Sequence, residues 1–219
     1  MTSLYSKKAV DVDRVLLVRY PDRLSLRELA KEAHVSLGQA FKIVKALINE
    51  RIAIRDSGRS GLKLMAPQDL LKRLAAVTNF SANTKFLEYY TPEEDISEFL
   101  KKLKELDSSA YAVTGLAGAM LIAPLVRPTN IHIYVRTEAD AKTLAGRLGL
   151  MPVEENGNIR FAIAKSEGVF YGAKAVGGIT VVSDVQLYLD LLNYPARGEE
   201  AASELYRLIE NKWKRAKVD

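Results

Sequence analysis

With 219 residues, 48% of them hydrophobic and 27% charged, the chain has the composition of a globular protein with one large domain or two small ones. It has no cysteine and only two histidines, His34 and His132, which excludes disulfides, thiolate zinc sites, a cysteine nucleophile and a His-rich metal site. No apolar run reaches the roughly 20 residues of a membrane-spanning helix, and the N-terminus lacks the hydrophobic segment of a secretory signal. We therefore expect a soluble, cytoplasmic protein without membrane contact.

The net charge of +5 is distributed unevenly along the chain. Residues 1–77 carry 15 Lys and Arg against 8 Asp and Glu, whereas the remaining residues carry 17 against 19. The positive charge is thus concentrated in the first third. This distribution is typical of a nucleic-acid-binding module attached to a nearly neutral domain.

Three helices are predicted in the first 50 residues. Residues 10–20 place apolar side chains at helical spacing. Ser25 precedes "LRELAKEA" with Glu28 three residues further on, which is the pattern of a capping box. Ser36 has the position of an N-cap for the helix "LGQAFKIVKALINE", in which the spacing turns four residues inward: Ala40, Ile43, Val44 and Leu47.

A β-hairpin is predicted after these helices. Residues 51–67, "RIAIRDSGRSGLKLMAP", have two alternating apolar stretches around a Ser/Gly-rich turn. The second and third helices are joined by a turn that contains Val35 and Ser36, which predicts a helix-turn-helix. Helix, helix, helix, hairpin is the order of a winged helix-turn-helix domain, and this stretch closely resembles that family.

The spacing also indicates which side chains would face a DNA duplex. If the four inward residues are buried, then Gln39, Lys42 and Lys45 lie on or beside the exposed face of the third helix. Glutamine can pair bidentately with adenine, and lysine can reach guanine acceptors or phosphates. The N-cap hydroxyl and nearby N–H groups can bind a phosphate, and the hairpin adds basic side chains beside glycines. The predicted DNA-binding residues are Ser36, Gln39, Lys42, Lys45, Arg55, Arg59, Ser60 and Lys63.

We place a domain boundary in the polar segment 78–84, which gives a winged helix-turn-helix domain at 1–80 and a mixed α/β domain at 81–219. The overall class is therefore α+β. The helix "QDLLKRLAAV" completes the first domain. In the second domain the predicted strands are "TKFLEYY", "AYAVT", "NIHIYV", "IRFAIA" and "GVFYGA". Its predicted helices are "PEEDISEFLKKLKEL", "GLAGAMLIAPL", "EADAKTLAGRLG", "DVQLYLDLLNY" and "EEAASELYRLIENKWKRA". The glycines of "AVGGIT" are predicted to form a hairpin or loop turn.

The stretch "GLAGAMLIAPLVRPTNIHIYV", residues 115–135, resembles the outline of a nucleotidyltransferase, in which a strand and a glycine turn lead into a helix and then an acidic strand. Here Thr114 and Gly115 occupy the turn. Asn130 and His132 stand where such an enzyme needs two metal-binding carboxylates, and they cannot supply that charge. Two interpretations stay open: a nucleotidyltransferase scaffold without its chemistry, or glycines that only let a helix pack closely on a sheet. We predict no catalytic residue, metal or cofactor.

The segment "VVSDVQLYLDLLNYPARGEEAASELY", residues 181–206, is the most distinctive part of the second domain. Together with "GVFYGA", "YAVTGLAGAMLIAP" and "IHIYV" it resembles the AbiEi-type antitoxin and transcriptional regulator family. The positions that carry the match are Gln186, Asp190, Tyr194, Arg197 and Gly198. Asp190 and Arg197 are expected to form a buried ion pair.

The family resemblance implies a repressor that binds repeats in its own promoter. In type IV systems it also implies opposition to a nucleotidyltransferase toxin without stable toxin binding. We therefore expect a DNA-binding autorepressor whose protomers assemble on repeated half-sites of double-stranded DNA. The alternatives are an enzyme acting on nucleotides or RNA, a stand-alone regulator with no toxin, and a protein-interaction adaptor whose charges are only solvated.

Overall fold

The computed structural model describes residues 6–55, 61–93, 95–123, 128–195 and 197–216. The chain forms two compact units: Met1–Thr78 with Tyr206–Asp219, and Asn79–Leu205. The predicted division differs at the C-terminus, where residues 206–219 group with the first unit rather than the second. The reason is local packing, since the Trp213 ring lies 5.6 Å from the ring of Tyr20, edge to face.

In the described ranges the first unit contains four helices, a two-stranded hairpin and the C-terminal part of one further helix. Each helix begins where the sequence supplies a start signal: a serine side chain caps each of the first three, and Pro67 occupies the first turn of the fourth. Strands β1 and β2 pair antiparallel, with Ala53 opposite Leu64. The elements are α1 (Lys7–Arg19), α2 (Leu26–Glu32), α3 (Leu37–Asn49), β1 (Ala53–Arg55), β2 (Leu62–Leu64) and α4 (Pro67–Val77).

The second unit is a seven-stranded mixed sheet with helices. The elements are α5 (Phe80–Asn83), β3 (Lys85–Tyr90), α6 (Ile96–Leu103), β4 (Ala112–Thr114), α7 (Gly115–Ile122), β5 (Ile131–Val135), α8 (Glu138–Leu148), β6 (Met151–Pro152), β7 (Ile159–Ile163), β8 (Lys174–Val176), β9 (Ile179–Val181), α9 (Asp184–Leu192) and α10 (Gly198–Arg215). By the division above, α10 begins in this unit and ends in the first. No helix in the described ranges is both long and apolar enough to cross a membrane.

The strand order of the sheet is β6-β3-β7-β5-β4-β9-β8, with parallel pairs at β5/β7 and β4/β9. Because successive side chains point to opposite faces, β5 presents Ile131 and Ile133 to one face and His132 and Tyr134 to the other. The first face packs on α6 and α8 in the main hydrophobic core. The second face carries an aromatic and polar cluster, described below.

One predicted strand is wrong. The segment "GVFYGA" begins within a 3₁₀ helix, Glu167–Phe170, which is followed by a turn in which Gly172 has a φ of +72°. Its backbone bonds are local, as when Tyr171 N–H donates to the carbonyl of Gly168, so they do not join the sheet. The glycines of "AVGGIT" do form a hairpin turn, and they connect β8 and β9 with positive φ at both positions.

Asp13 of α1 is a buried carboxyl group in the core of the first unit, with 2% of its surface exposed. Within the described part of the chain its Oδ1 has no hydrogen-bond partner, and Oδ2 lies 4.0 Å from Nε of Arg73. Arg73 also binds Glu50, with 2.7 Å between Nη1 and Oε2. Burial raises the pKa of Asp13 to about 7, a larger effect than the lowering by the Arg73 guanidinium.

We predict that Asp13→Asn stabilises the protein increasingly as the pH rises. The folded-state pKa lies above that of the unfolded chain, so the protonated form is favoured in the fold, and its stabilisation is lost as the pH rises from about 4 through about 7. Urea denaturation at pH 5 and pH 8 measures the free energy of unfolding of each protein. The difference between variant and wild type should increase in favour of the variant by on the order of 2 kcal/mol from pH 5 to pH 8. Asp22→Asn, at an exposed position of the same unit, is the control. Identical pH profiles for wild type and Asp13→Asn would contradict the prediction.

Candidate nucleic-acid interface

Helix α3 has one face that is fixed in the core and one that is free. At its start Ser36 Oγ accepts a hydrogen bond from Gln39 N–H at 3.3 Å, and Gln39 Oε1 accepts one from Ser36 N–H at 3.1 Å. All four residues predicted to face inward are buried, with at most 5% of their surface exposed: Ala40, Ile43, Val44 and Leu47. Their burial against α1, α2 and β1 sets the rotation of α3 about its axis, and the opposite face must therefore be exposed.

The turns at either end of α3 hold residues in the left-handed region. His34, with a φ of +51°, ends α2, and the carbonyl of Ala30 accepts the N–H of Val35. Arg51, with a φ of +60°, ends α3, and the carbonyl of Leu47 accepts the N–H of Ile52. Such positions usually hold glycine, and the bonds around them stop each helix sharply. As a result, only two residues separate the left-handed turn that ends α2 from the start of α3.

The exposed face of α3 combines cationic, apolar and small residues. Lys42 and Lys45 are exposed, as the sequence predicted. Leu37 and Phe41 are 47% and 48% exposed. Gly38 is exposed between them. The face is therefore not a simple row of solvated charges.

Two predicted DNA-binding residues are partly occupied within the protein. Gln39 is only half-exposed, and its amide oxygen is held by Ser36 N–H in the capping box. The Ser36 hydroxyl is held in turn by Gln39 N–H. A bidentate contact from Gln39 to adenine would require this cap to open, so the lysines are more available than the glutamine.

The hairpin places its basic residues on opposite faces. Arg55 pairs with Leu62 across the strands, and Lys63 pairs with Ile54. Because cross-strand partners share a face and neighbours alternate, Arg55 and Lys63 point to different sides. Two other predicted residues, Arg59 and Ser60, lie outside the described residues.

A groove of about 410 Å³ separates α3 from the hairpin. Phe41 and Lys45 line it on the helix side, and Arg55 and Leu62 line it on the hairpin side. The hairpin lies close to the chain before α2, since a Cβ on Gly61, whose φ is +61°, would meet the Leu24 carbonyl oxygen at 2.7 Å. The structure thus brings Lys45 and Arg55 together around one groove and leaves Lys63 on the other side of the hairpin.

Sequence reasoning missed Leu37, Gly38 and Phe41 as surface residues. Apolar residues in a helical window are ordinarily assigned to the core. Spacing alone does not reveal their exposure, because Leu37 is in phase with Ala40, Val44 and Leu47, and only Phe41 lies to one side of the inward face.

In the second unit, the turn at Thr114 and Gly115 is followed by α7 as predicted, with Gly115 at a φ of +62°. His132 is 3% exposed, and its Nδ1 lies 3.2 Å from the hydroxyl of Tyr194. Burial, together with the nearby Arg160, lowers the pKa of His132 to about 3, so the imidazole is neutral near pH 7. The rings of Phe80 and Phe86 pack on it edge to face. His132 is thus a core histidine with a hydrogen-bond partner.

Asp190 is a buried acceptor that links three elements. Its carboxylate accepts hydrogen bonds from Thr114 Oγ1 at 2.6 Å, Gln186 Nε2 at 2.7 Å and Tyr134 OH at 3.1 Å. These donors lie at the end of β4, in α9 and in β5, and each is buried. The described residues contain no group of three or more His, Asp or Glu side chains placed to hold a metal ion.

The expected ion pair between Asp190 and Arg197 is wrong. Arg197 is exposed and binds Glu200, with two hydrogen bonds of 2.7 Å to its carboxylate. Asp190 faces the sheet instead, where its carboxylate accepts hydrogen bonds from Thr114, Gln186 and Tyr134. Gly198 is required by close packing, because a Cβ there would lie 2.5 Å from Cβ of Tyr194 and 2.7 Å from the carbonyl oxygen of Leu191.

The fold is that of a mixed α/β protein with a separate unit of helices and a hairpin. A family model described as "Transcriptional regulator, AbiEi antitoxin, Type IV TA system" matches residues 63–210, which is more than half of the chain. The chain belongs to this AbiEi antitoxin family of transcriptional regulators, as the sequence motifs predicted. The description is that of a regulator rather than an enzyme. No significant match is found among curated proteins or among solved structures.

The matched range begins in β2 and ends in α10. It contains the whole sheet, the Asp190 cluster and the family-like positions around Tyr194 and Gly198. Helices α1, α2 and α3 precede it. The family match therefore does not cover α3, and its exposed face is a feature known only from the sequence and structure of this chain.

We predict that Asp190→Ala lowers the free energy of unfolding by about 3 kcal/mol or more. The substitution removes the acceptor that three buried donors share, and the loss of a buried hydrogen-bond partner costs about 1 to 3 kcal/mol for each donor. Asp190→Asn, which keeps one acceptor oxygen and the side-chain volume, should lose less. Urea denaturation followed by circular dichroism measures both, with the exposed Glu155→Ala as a control expected within about 0.5 kcal/mol of wild type. An Asp190→Ala protein as stable as that control would contradict the assigned role.

Proposed function

We propose that the first unit is a winged helix-turn-helix that binds double-stranded DNA, and that the protein is a sequence-specific transcriptional repressor of its own promoter. The observation that supports this most directly is the exposed face of α3, where Lys42 and Lys45 are exposed and Lys45 lines a groove whose other wall carries Arg55. A helix whose rotation is fixed by a buried face can present such a set to a major groove in one orientation. The hairpin following it corresponds to the wing.

The charge distribution supports a polyanionic partner. Residues 1–77 have 15 basic against 8 acidic side chains, while the rest of the chain has a small excess of acidic ones. Phosphate contacts by Lys and Arg release counterions and provide much of the affinity for DNA. In this proposal Lys42, Lys45 and Arg55 contact the duplex directly, and Lys63 adds to the positive potential from the outer face of the hairpin.

The remaining predicted contacts follow the same proposal. Ser36 and Gln39 at the start of α3 contact DNA through the backbone N–H groups near the helix start, or by opening their capping box. Arg59 and Ser60 belong to the proposed wing. One such module contacts only a short site, so we propose that protomers pair on repeated half-sites.

Membership of a type IV antitoxin family supports a further part of the proposal, that the chain acts in opposition to a toxin. We propose a nucleotidyltransferase toxin that is opposed without stable binding, and no catalysis by this chain. His132 and Asp190, which both contact the Thr114–Gly115 turn, are engaged in buried hydrogen bonds that hold the fold. The identity of the adjacent gene tests the toxin: a neighbouring nucleotidyltransferase gene supports this part, and none argues for a stand-alone regulator.

We predict that Lys42→Ala with Lys45→Ala weakens binding to the gene's own upstream region and lowers its salt dependence. Loss of two phosphate-contacting cations should reduce the slope of log K against log[salt] by about 2. Fluorescence anisotropy at several salt concentrations measures both quantities. A charge-matched control is Lys142→Ala with Lys165→Ala, two exposed lysines of the second unit.

Two results would count against the proposal. If wild type shows no affinity for DNA even at low salt, the first unit is not a DNA-binding module. Both double variants could instead lose the same affinity and show the same decrease in the slope of log K against log[salt]. In that case the lysines of α3 do not contact DNA specifically, and the attraction to DNA comes only from net charge.

A further inference from the structure

Two large apolar side chains stand on the free face of α3. Leu37 and Phe41 are 47% and 48% exposed and are four residues apart, so they form one adjacent pair on the helix surface. Single exposed apolar residues are ordinary, but a leucine and a phenylalanine placed together among lysines are not needed for solubility or for the core. The pair is therefore suited to bind a partner that has apolar groups.

Gly38 lies beside this pair and is not required by the fold. A Cβ built on Gly38 meets no atom within 4 Å among the described residues, and its φ lies outside the left-handed region that favours glycine. By contrast, Gly61 of the hairpin and Gly198 of α10 each exclude a Cβ by contacts under 3 Å. Glycine is the least favourable residue in a helix after proline. Gly38 thus leaves free space at a point where the chain itself makes no use of it.

The charges around the pair identify the partner's chemistry. Lys45 lies one turn after Phe41 on the helix surface, and Arg55 faces both of them across the groove. Lys42, which follows Phe41 in the sequence, is exposed as well. This arrangement repels a second copy of the same cationic face and attracts a polyanion. A duplex offers one apolar group in its major groove, the C5-methyl of thymine, between two rows of phosphates.

We propose that Leu37 and Phe41 determine sequence specificity by contacting thymine methyl groups, while Gly38 lets the duplex approach α3 closely. The inference rests on the DNA-binding function proposed above and names what that surface recognises. Lys42, Lys45 and Arg55 hold the flanking phosphates and provide affinity. The apolar pair provides discrimination, and each half-site contains at least one thymine in contact with it.

The test replaces thymine by deoxyuridine, which removes the methyl group and keeps the base pair. The probe is the tightest duplex that the full-length protein selects from a random library, substituted one thymine at a time. For wild type, one or two thymines in each half-site should matter, and each should weaken binding about fourfold, as expected for losing one buried methyl-sized group. For Phe41→Ala or Leu37→Ala, the thymine and deoxyuridine duplexes should bind equally at the corresponding position.

Leu208→Ala serves as a matched control, because Leu208 is 46% exposed on α10. It should keep the full preference for thymine. Thermal unfolding of each variant separates loss of recognition from loss of fold. If wild type binds its duplex but is indifferent to every deoxyuridine substitution, the inference is overturned while the proposed function stands. If the preference persists in both Phe41→Ala and Leu37→Ala, other residues carry it. If wild type selects no duplex, the proposed function fails, and the inference fails with it.

Gly38→Ala provides an independent test of the close approach. Because the added methyl group meets nothing in the free protein and favours the helix, the variant should unfold at the same or a higher temperature than wild type. It should nevertheless bind the selected duplex at least fivefold more weakly. A more stable variant with unchanged affinity would show that the space at Gly38 is not used by DNA.

Discussion

The rotation of α3 about its own axis is the constraint on which the proposed interface depends. Four buried side chains, from Ala40 to Leu47, leave only one face free. The turns at His34 and Arg51 end the preceding helix and α3 itself within a single residue each, and both use the left-handed region without a glycine. A change in either the buried face or the turns would rotate or extend α3 and move Lys45 away from the groove.

The second unit depends on a different kind of constraint. Its sheet has a hydrophobic face against α6 and α8, and its other face is organised by polar contacts to Asp190 and by rings packed around His132. Loss of any one hydrogen-bond partner in such a cluster destabilises the fold, because an unsatisfied donor in the core is strongly unfavourable. Asp190 thereby fixes α9 against β4 and β5 in one register. The stretch that most resembled the family, around Gln186 and Asp190, is thus explained by packing of the sheet.

Local signals in the sequence were sufficient for most helices and for the centre of the sheet. The serines at positions 25, 36 and 183 cap the helices that they were expected to cap, because capping depends on residues within one turn. Strands β6, β8 and β9 were not predicted: each has at most three residues and no resolvable alternation. The partner of Asp190 was wrong because tertiary contacts selected Thr114, 76 residues away, over Arg197 in the next turn of chain. The exposed apolar pair on α3 was missed because its composition resembles that of a core, and because the spacing of Leu37 matches that of the inward residues Ala40, Val44 and Leu47.

The family match covers the part of the chain whose fold depends on the sheet and its buried polar cluster, whereas the proposed interface lies mainly before it, on α3. Residues 63–210 include the sheet and its buried polar cluster, which tolerate little change without loss of the fold. Leu37, Gly38 and Phe41 lie before that range, and they are exposed, so substitutions there leave the four inward residues of α3 and its rotation intact. Under the proposed function, a regulator built in this way acquires a new operator by changing a few exposed residues of one helix. The same substitutions need not disturb the hydrogen bonds to Asp190 from Thr114, Gln186 and Tyr134, because none of these residues belongs to α3.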